Sequence, residues 1–384
     1  MNARSVSLAL PLGVFLASAA HATPSYALRT GATCTDCHAD GAGGGLLTPR
    51  GAAFAHAALP TFGAVEGHAR RAHRPDTLDA GFDLRAASSF PLGGDVSAEL
   101  AHADLHLAAR PYNPPGDAEG RLAVLVTGDV AQNAKSRFML RTYGLVLDDL
   151  LFGASVRAGR FAPELTVSER SDGQGLAAAE FDLYGAPNDR RRTTLGLFMG
   201  LSPGPVSLTL ELFNPGTGAY VPFDADAGLV TAMGATWHRR GLRLGLAGAS
   251  ASAVSAPAAD GQSVAGRWGL DLAPLAGVPI SYRGEYRLRR GHTGRGAETG
   301  TGLAAAHTLA VSPTRGVDAE ATYEWQDPDI DLRYDSRHRA RLGAEWRFFD
   351  GFACVAEYSH AWQYAGQRFS SDADAVTLTL RAWR

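Results

Sequence analysis

The sequence lacks any run of about 18 consecutive apolar residues, which is the length that a transmembrane α-helix requires. It also lacks an excess of charge, because 36 basic and 39 acidic side chains give a formal net charge of −3. A nucleic-acid-binding surface would need a basic excess, so that class of function is excluded. A membrane protein built from apolar helices is excluded as well.

Cysteine is scarce, with only three residues in 384, and the N-terminus indicates why. Arg4 precedes an apolar stretch at Ser5–Ala19 that is too short to span a bilayer, and Ala20–Ala22 has the small-residue form of a signal-peptidase site. We expect residues 1–22 to be a signal peptide rather than a membrane anchor. Export fits the low cysteine count, since free thiols are a liability in an oxidising compartment.

Two of the three cysteines stand in Cys34-Thr35-Asp36-Cys37-His38, the attachment pattern of a c-type haem. The spacing lets the two thiols add to the vinyl groups of one porphyrin, while His38 falls beneath the iron as its proximal ligand. A thioredoxin-like motif would need a preceding strand–helix unit, a zinc site would need a second ligand pair, and a disulfide leaves His38 unexplained. The motif therefore predicts one covalent haem c held by Cys34, Cys37 and His38.

The sixth ligand of the haem iron is not fixed by any spacing. Met199, Met233 and Cys354 each share the two-residue parity of apolar residues on their own segment, which predicts that they face lipid. His56 lies in a predicted short helix that begins near Thr48-Pro49. The candidates for the distal ligand are His56, His102, His106 and Met139.

From residue 79 onward, apolar and polar residues alternate with a period of two, which is typical of strands with one apolar face. In residues 206–213, VSLTLELF, the valine and leucines share one face, and serine, threonine and glutamate share the other. Many runs reach about 10–13 residues with aromatic residues near their ends, as strands that cross a bilayer do. A large soluble β-protein would show the same period with strands of about 5–6 residues. The pattern therefore predicts an all-β protein, a transmembrane antiparallel β-barrel.

Seventeen segments qualify as strands, and because single-chain bacterial barrels have even numbers we expect sixteen. The segments are 79–90, 94–107, 121–131, 135–146, 150–163, 176–186, 191–202, 205–214, 228–239, 241–253, 263–273, 277–290, 301–311, 316–326, 337–348, 352–364 and 375–384. Long polar links, the last at 365–374, alternate with short ones. The predicted organisation is a signal peptide at 1–22, a monohaem cytochrome c-like plug segment at 23–78 and a barrel at 79–384.

Several polar residues of the predicted barrel have ligand chemistry. His102, Asp104 and His106 alternate with apolar neighbours and should form an inward stripe, and Met139 should share the inward face with Arg141. These residues either supply a distal haem ligand or belong to an ordinary polar lumen. Carboxylates predicted in loops either gather cations at the barrel mouth or are simply solvated: Asp224, Asp226, Asp327, Asp329, Asp331, Asp335, Asp372 and Asp374.

The N-terminal motifs, followed by a barrel pattern, resemble the fused cytochrome–porin family, whose best-known members are outer-membrane iron oxidases. The resemblance covers about 40 residues at motif level, and the barrel matches by architecture alone. The matching residues are Pro24-Ser25-Tyr26-Ala27, Thr30-Gly31, Cys34-Thr35-Asp36-Cys37-His38 and Leu47-Thr48-Pro49-Arg50-Gly51.

This resemblance implies an outer-membrane protein that passes single electrons from an extracellular donor such as Fe(II), through haem c, to a periplasmic c-type cytochrome or another soluble carrier. The iron-oxidase members of the family imply an Fe(II)-oxidising oxidoreductase. Two other functions fit the same sequence. One is a passive solute porin whose haem segment is a plug or sensor, and the other is an electron conduit that runs outward to an external acceptor.

Overall fold

The computed structural model describes residues 78–91, 96–112, 122–129, 139–150, 154–161, 194–214, 228–252, 261–292, 299–327, 330, 336–349, 352–365 and 368–383. The predicted signal peptide and the predicted haem segment, with Cys34, Cys37, His38 and His56, lie outside these residues. The described residues therefore belong to the predicted barrel.

Sixteen strands and one short helix make up the described structure. The strands are β1 (Leu78–Pro91), β2 (Ser97–Tyr112), β3 (Leu122–Asp129), β4 (Met139–Leu150), β5 (Ala154–Phe161), β6 (Thr194–Leu201), β7 (Val206–Asn214), β8 (Leu229–Arg239), β9 (Leu242–Ser252), β10 (Gly261–Asp271), β11 (Ile280–His292), β12 (Thr299–Thr314), β13 (Val317–Asp327), β14 (Arg337–Phe349), β15 (Phe352–Ala365) and β16 (Arg368–Trp383). Helix α1 (Ala273–Ala276) lies between β10 and β11. None of the described helices is long and apolar enough to cross a membrane.

The sixteen strands close into one barrel in which each strand pairs antiparallel with its sequence neighbours. Strand β1 also pairs with β16, so that Ser88 lies opposite Leu378. Closure matters because an open sheet edge would leave backbone N–H and C=O groups without partners in a bilayer. The predicted fold class, an antiparallel barrel of sixteen strands, is confirmed.

The one surplus segment among the seventeen is 176–186. Strand β5 pairs directly with β6, with Val156 opposite Met199, so the barrel leaves no place for a strand between them. Residues 176–186 themselves lie outside the described residues. The remaining sixteen segments each correspond to one strand.

Strand β16 begins earlier than its apolar pattern predicts. It starts at Arg368 and pairs with β15 up to Ala365, so only residues 366–367 join the two strands. The prediction of a long link at 365–374 is wrong. The reason is that backbone pairing continues past the apolar band, where outward positions no longer have to be apolar.

The two ends of the barrel differ in their connections. The end at which β1 begins and β16 ends carries two-residue links at 240–241 and 315–316, whereas the opposite end carries 162–193 and 215–227. In the tight β8–β9 turn, Arg240 and Gly241 have φ values of 40° and 79°, the left-handed pair of a type I′ hairpin. A Cβ at Gly241 would lie 2.4 Å from the backbone O of Asp271, so this turn requires glycine.

The outward face of the barrel is apolar. On β9, Leu244 and Leu246 are 58% and 63% exposed, and Met233 of β8 belongs to the same surface. Cys354 lies opposite Trp346 and Leu380 on this face. An apolar surface of this kind on a closed barrel is what the hydrocarbon of a bilayer requires.

Candidate functional site: the lumen wall

Arginine and carboxylate side chains line the inner faces of β10–β16 and β1, and we call this surface the charged wall. Successive residues of a strand point to opposite faces, so charges that alternate with outward apolar residues point inward. Arg267 of β10 lies opposite Glu285 of β11, and its Nε donates a hydrogen bond to Glu285 Oε2 at 3.0 Å. Arg287 donates to the other oxygen of that carboxylate at 2.9 Å. One carboxylate thus holds two guanidinium groups.

The most deeply buried ion pair of the charged wall is centred on Arg341 of β14. Its Nη2 lies 2.8 Å from Glu324 Oε1 on β13, and its Nη1 lies 3.6 Å from Glu357 Oε2 on β15. The side chains of Arg341 and Glu324 are only 3% and 2% exposed. Charges so far from water are stable only while they stay paired, so this triad ties three strands together.

A second ion-paired cluster closes the barrel. Asp83 on β1 accepts hydrogen bonds from Arg85 on the same strand and from both Nε and Nη2 of Arg381 on β16. The Asp83 carboxylate is buried. Since β1 and β16 are the first and last strands, this carboxylate joins the two ends of the sheet.

Other pairs of the charged wall keep contact with solvent. Arg283 Nη2 lies 3.5 Å from Glu320 Oε2, and the Glu320 side chain is 34% exposed. Arg347 pairs with Asp318 at 2.7 Å and with Glu345 at 2.8 Å, and both carboxylates are partly exposed. The charged wall therefore borders space that water enters.

On the opposite side of the lumen, apolar side chains cluster next to the buried charged residues Arg157 and Glu211. Six inward side chains of β2 and β4–β8 form one cluster, which we call the apolar wall, and each is only 0–3% exposed. Its rings meet edge to face between Phe161 and Phe198, with centroids 5.8 Å apart, and stack between Phe198 and Phe213 at 6.3 Å. The members of the apolar wall are Ala108, Val146, Phe161, Phe198, Phe213 and Val230.

Glycines on the adjacent strands make room for two of these rings. A Cβ at Gly144 would lie 2.7 Å from the Phe161 ring, and a Cβ at Gly196 would lie 2.5 Å from the Phe213 Cβ. The Phe161 ring therefore lies close to the backbone of β4 at Gly144, and the base of the Phe213 side chain lies close to the backbone of β6 at Gly196. Glycine is needed here for close approach, not for a turn.

His106 lies at the border of the two walls. It is on the inner face of β2, buried, and two residues from Ala108 of the apolar wall. Of the residues proposed from sequence as distal ligands, it is the one that the fold places beside the apolar wall.

The remaining candidates of the barrel are located by register. Asp104 lies opposite both Asp83 and Asp129, and His102 is two residues earlier on β2. Met139 begins β4 and lies opposite Asp129. Within the described ranges, no three His, Cys, Asp or Glu side chains are arranged so that they could hold a metal ion.

Three of the carboxylates predicted in loops belong to strands instead. Asp327 ends β13, and Asp372 and Asp374 lie within β16. Asp374 lies on the outward side, where it accepts a hydrogen bond from Tyr358 Oη at 3.1 Å and contacts His360 Nδ1. It cannot act as a loop carboxylate at a barrel mouth. Asp224, Asp226, Asp329, Asp331 and Asp335 lie outside the described residues.

Histidines on the outward face, which the sequence pattern did not single out, belong to the aromatic belt that it did predict. Tyr282 Oη and His307 Nδ1 are 2.7 Å apart, and Tyr323 Oη and His338 Nδ1 are 2.8 Å apart. The His338 ring stacks on Trp362 at 5.3 Å. Amphipathic rings of this kind suit the interface between hydrocarbon and water.

The apolar wall was also missed, although a signal for it is present. Phe213 shares its parity with Ser207, Thr209 and Glu211, the polar face of β7, and Phe198 falls between outward Leu197 and Met199. An aromatic residue on the polar parity is the sign of an inward apolar position.

No protein-family model matches the sequence, and no curated protein sequence matches it. Solved structures of outer-membrane barrels, in contrast, are similar to it in fold. OmpT of Vibrio cholerae, folded in vitro and in its trimer form, has a TM-score of 0.58 at 12% identity, over 80% of this chain and 99% of that chain. OmpF of Salmonella typhi in complex with daunomycin has a TM-score of 0.59 at 11% identity, over 80% and 97%.

An anion-selective porin from Comamonas acidovorans is similar to the same extent, with a TM-score of 0.56 at 12% identity, over 80% of this chain and 99% of that chain. At such identities the likeness concerns the fold alone. The chain has the fold of a porin-like outer-membrane β-barrel.

Proposed function

We propose that this protein is exported to the outer membrane, carries one haem c, and passes single electrons from an extracellular donor such as Fe(II) to a periplasmic c-type cytochrome or another soluble carrier. The observation that carries the proposal is the pairing, in one chain, of the Cys34–His38 motif with a closed sixteen-stranded barrel. A barrel of this size crosses hydrocarbon, which is an electrical insulator, and leaves a lumen.

The donor set of the motif fits the proposed group. Two thiols separated by two residues match the two vinyl positions of a porphyrin, and the adjacent imidazole of His38 matches the proximal position. Bound there, the haem would supply one-electron redox chemistry. Cys34 and Cys37 would hold it covalently, which prevents its loss from an exported protein.

The direction of electron transfer follows from the side of the outer membrane on which the electron donor is found. Short connections and both chain ends mark the periplasmic end of outer-membrane barrels, so the N-terminal segment would enter the barrel from the periplasm. A soluble carrier would dock at that end. Fe(II) would approach from the opposite end, where its insoluble oxidation product stays outside the cell.

A passive solute channel is the second candidate, and the charged wall favours it. Its ion pairs include solvent-contacting groups such as Glu320. Water-lined charged walls are what polar solutes need to pass a barrel of this size. An outward electron conduit would use the same parts and would differ in the reduction potential of the haem.

Haem staining of the purified, processed protein on a denaturing gel tests the proposal. We expect a stained band and an added porphyrin mass, both lost in Cys34→Ser/Cys37→Ser. The matched control is Cys354→Ser, which removes the third cysteine from the outward face and should keep the stain. An unstained native protein without added mass, or one that fractionates as soluble, would overturn the proposal.

Spectra in both redox states then identify the axial ligands. A low-spin spectrum with methionine ligation would point to Met139, and a bis-imidazole spectrum would point to His56, His102 or His106. Reduction of the purified haem by added Fe(II) supports the inward direction. High solute flux in a liposome-swelling assay, with a haem that external reductants leave oxidised, would support the passive channel instead.

A further inference from the structure

The connection between β10 and β11 forms an exposed apolar surface at the end of the barrel where β1 begins. It comprises residues 272–279, LAPLAGVP, and includes α1. The other connections that the structure describes at this end have at most four residues. The side chains of Leu275 and Val278 are 49% and 39% exposed. An exposed apolar surface beyond the strand ends marks a site of contact with another molecule.

Hydrogen bonds fix the backbone of this connection at both of its ends. The Ala273 N–H donates to the carboxylate of Asp271 at 2.8 Å, and Asp271 is buried. The Leu272 N–H donates to Ile280 O at 2.9 Å, and the Gly277 N–H donates to Ala273 O at 3.0 Å. Because the surface is already ordered, a partner that binds it need not immobilise a loop first, and that saves conformational entropy.

Two turns that carry arginine adjoin this surface, one on each side. A Cβ at Gly241 of the β8–β9 turn would lie 2.7 Å from Pro274 Cγ, so that turn contacts α1. On the other side, the Ser312 N–H donates to Pro279 O at 2.9 Å, three residues before Arg315 of the β12–β13 turn. The three connections therefore form one continuous surface, which we call the α1 rim. Its segments are 239–241, 272–279 and 312–316.

The charges of the α1 rim have one sign. Arg239, Arg240 and Arg315 are exposed, and the three segments contain no aspartate or glutamate. The carboxylates nearest in sequence already have partners, since Asp271 binds the backbone of α1 and Asp318 pairs with an arginine of the charged wall. An apolar centre with a positive edge matches a partner whose contact face has an apolar centre and a negative edge.

We propose that the α1 rim is the docking surface for the soluble periplasmic electron carrier, and that the carrier presents acidic side chains around an apolar patch. The inference deepens the proposed function and rests on it for the orientation of the barrel and the class of partner. The arginines attract and orient the approaching carrier, and Leu275 and Val278 provide the contact that excludes water at the centre.

Two charge forms of one soluble haem protein test this docking. Cytochrome c is used in its native basic form and after succinylation of its lysines, which makes it acidic. The full-length protein is held in nanodiscs of zwitterionic phosphatidylcholine, and surface plasmon resonance follows association. The test variant is Arg239→Gln/Arg240→Asn, with asparagine at 240 because Arg240 has a φ of 40°. The matched control, Arg289→Gln/Arg290→Gln, removes two adjacent arginines toward the opposite end of β11.

We expect the native protein to bind the succinylated form in preference to the basic form. The association rate should fall by about tenfold in the test variant and stay unchanged in the control. Leu275→Ser should raise the dissociation rate by about fivefold, as loss of a central contact does. Equal binding of the two charge forms, or an equal loss in the control, would overturn the docking. Heat-modifiable gel mobility confirms that each variant folds.

A fluorescent label at Leu275→Cys, in a Cys354→Ser background, separates a protein partner from a lipid surface. We expect quenching by iodide in water and further quenching when the succinylated cytochrome binds. Quenching by brominated lipid instead would place the apolar surface in the bilayer and overturn the docking. Haem staining distinguishes the two ideas. A stained protein without charge-dependent binding refutes the docking alone, and charge-dependent binding to an unstained protein refutes the proposed function but keeps the α1 rim as a surface for an acidic protein.

Discussion

The two walls of the lumen share the same strand geometry but are stabilised by different interactions. The charged wall binds its strands together through arginine–carboxylate pairs whose exposure ranges from buried Arg341 to solvated Glu320. The apolar wall has no such gradient, because all its side chains are buried. An inward position of a barrel is thus not polar by default.

The largest effect is expected at the centre of the charged wall. Arg341→Met leaves the buried Glu324 without its 2.8 Å partner, so the free energy of unfolding should fall by about 3–5 kcal/mol. Guanidinium unfolding in lipid vesicles measures this. A loss below about 1 kcal/mol would mean that the triad is solvated like an ordinary surface pair.

Truncation of a side chain in the apolar wall should lower the free energy of unfolding nearly as much. Phe213→Ala removes a fully buried ring that stacks on Phe198, and we expect a loss of about 3 kcal/mol in the same assay. The control Leu244→Ala lies on the outward face, where lipid fills the space, and should lose less. If both variants lose the same amount, Phe213 is packed no better than a lipid-facing leucine and the contrast between the walls fails.

An intermediate loss of stability is expected at the pairing of β1 with β16 around Asp83, which we call the seam. Asp83→Asn keeps the size of the side chain but removes the charge that Arg85 and Arg381 share, and we expect a loss of about 2 kcal/mol. The effect should appear mainly as faster unfolding of the β1–β16 pair, measured by hydrogen exchange of its amides. Uniform exchange changes around the whole barrel would contradict this.

The smallest effect is expected at the solvated edge of the charged wall. Arg283→Gln removes a 3.5 Å pair with a Glu320 side chain that is 34% exposed, so the loss should stay below about 1 kcal/mol. The loss in free energy of unfolding is compared with that of Arg341→Met under identical conditions and again at raised salt. The comparison measures how the strength of an ion pair depends on its burial. Equal losses in the two variants would show that position in the wall does not matter.

The strand count and order could be predicted from sequence because each strand carries its own two-residue alternation. Segment 176–186 resembles a strand locally, and only the direct pairing of β5 with β6 shows that the sheet has no place for it. The start of β16 was missed for the opposite reason. Residues 368–374 are polar, and their strand character comes from pairing with β15, which a single segment cannot reveal.

Phenylalanines on the polar parity signal single inward apolar positions, but their grouping into one wall could not be predicted, because it depends on register between strands. Phe161, Phe198 and Phe213 are separated in sequence and meet only when their strands align. The placement of His106 beside Ala108 on the inner face agrees with the alternation of β2, since both follow from the same period. Its role as an iron ligand remains a prediction, as do those of Cys34, Cys37 and His38.

The seam at Asp83 has a consequence for biogenesis. Its partner Arg381 is 298 residues away, so the contact forms only after almost the whole polypeptide has been delivered. A chain that ends before β16 would keep two sheet edges without strand partners, and Asp83 would lack its ion pair with Arg381. Closure of the barrel, and with it a complete set of backbone hydrogen-bond partners in the bilayer, therefore waits for β16.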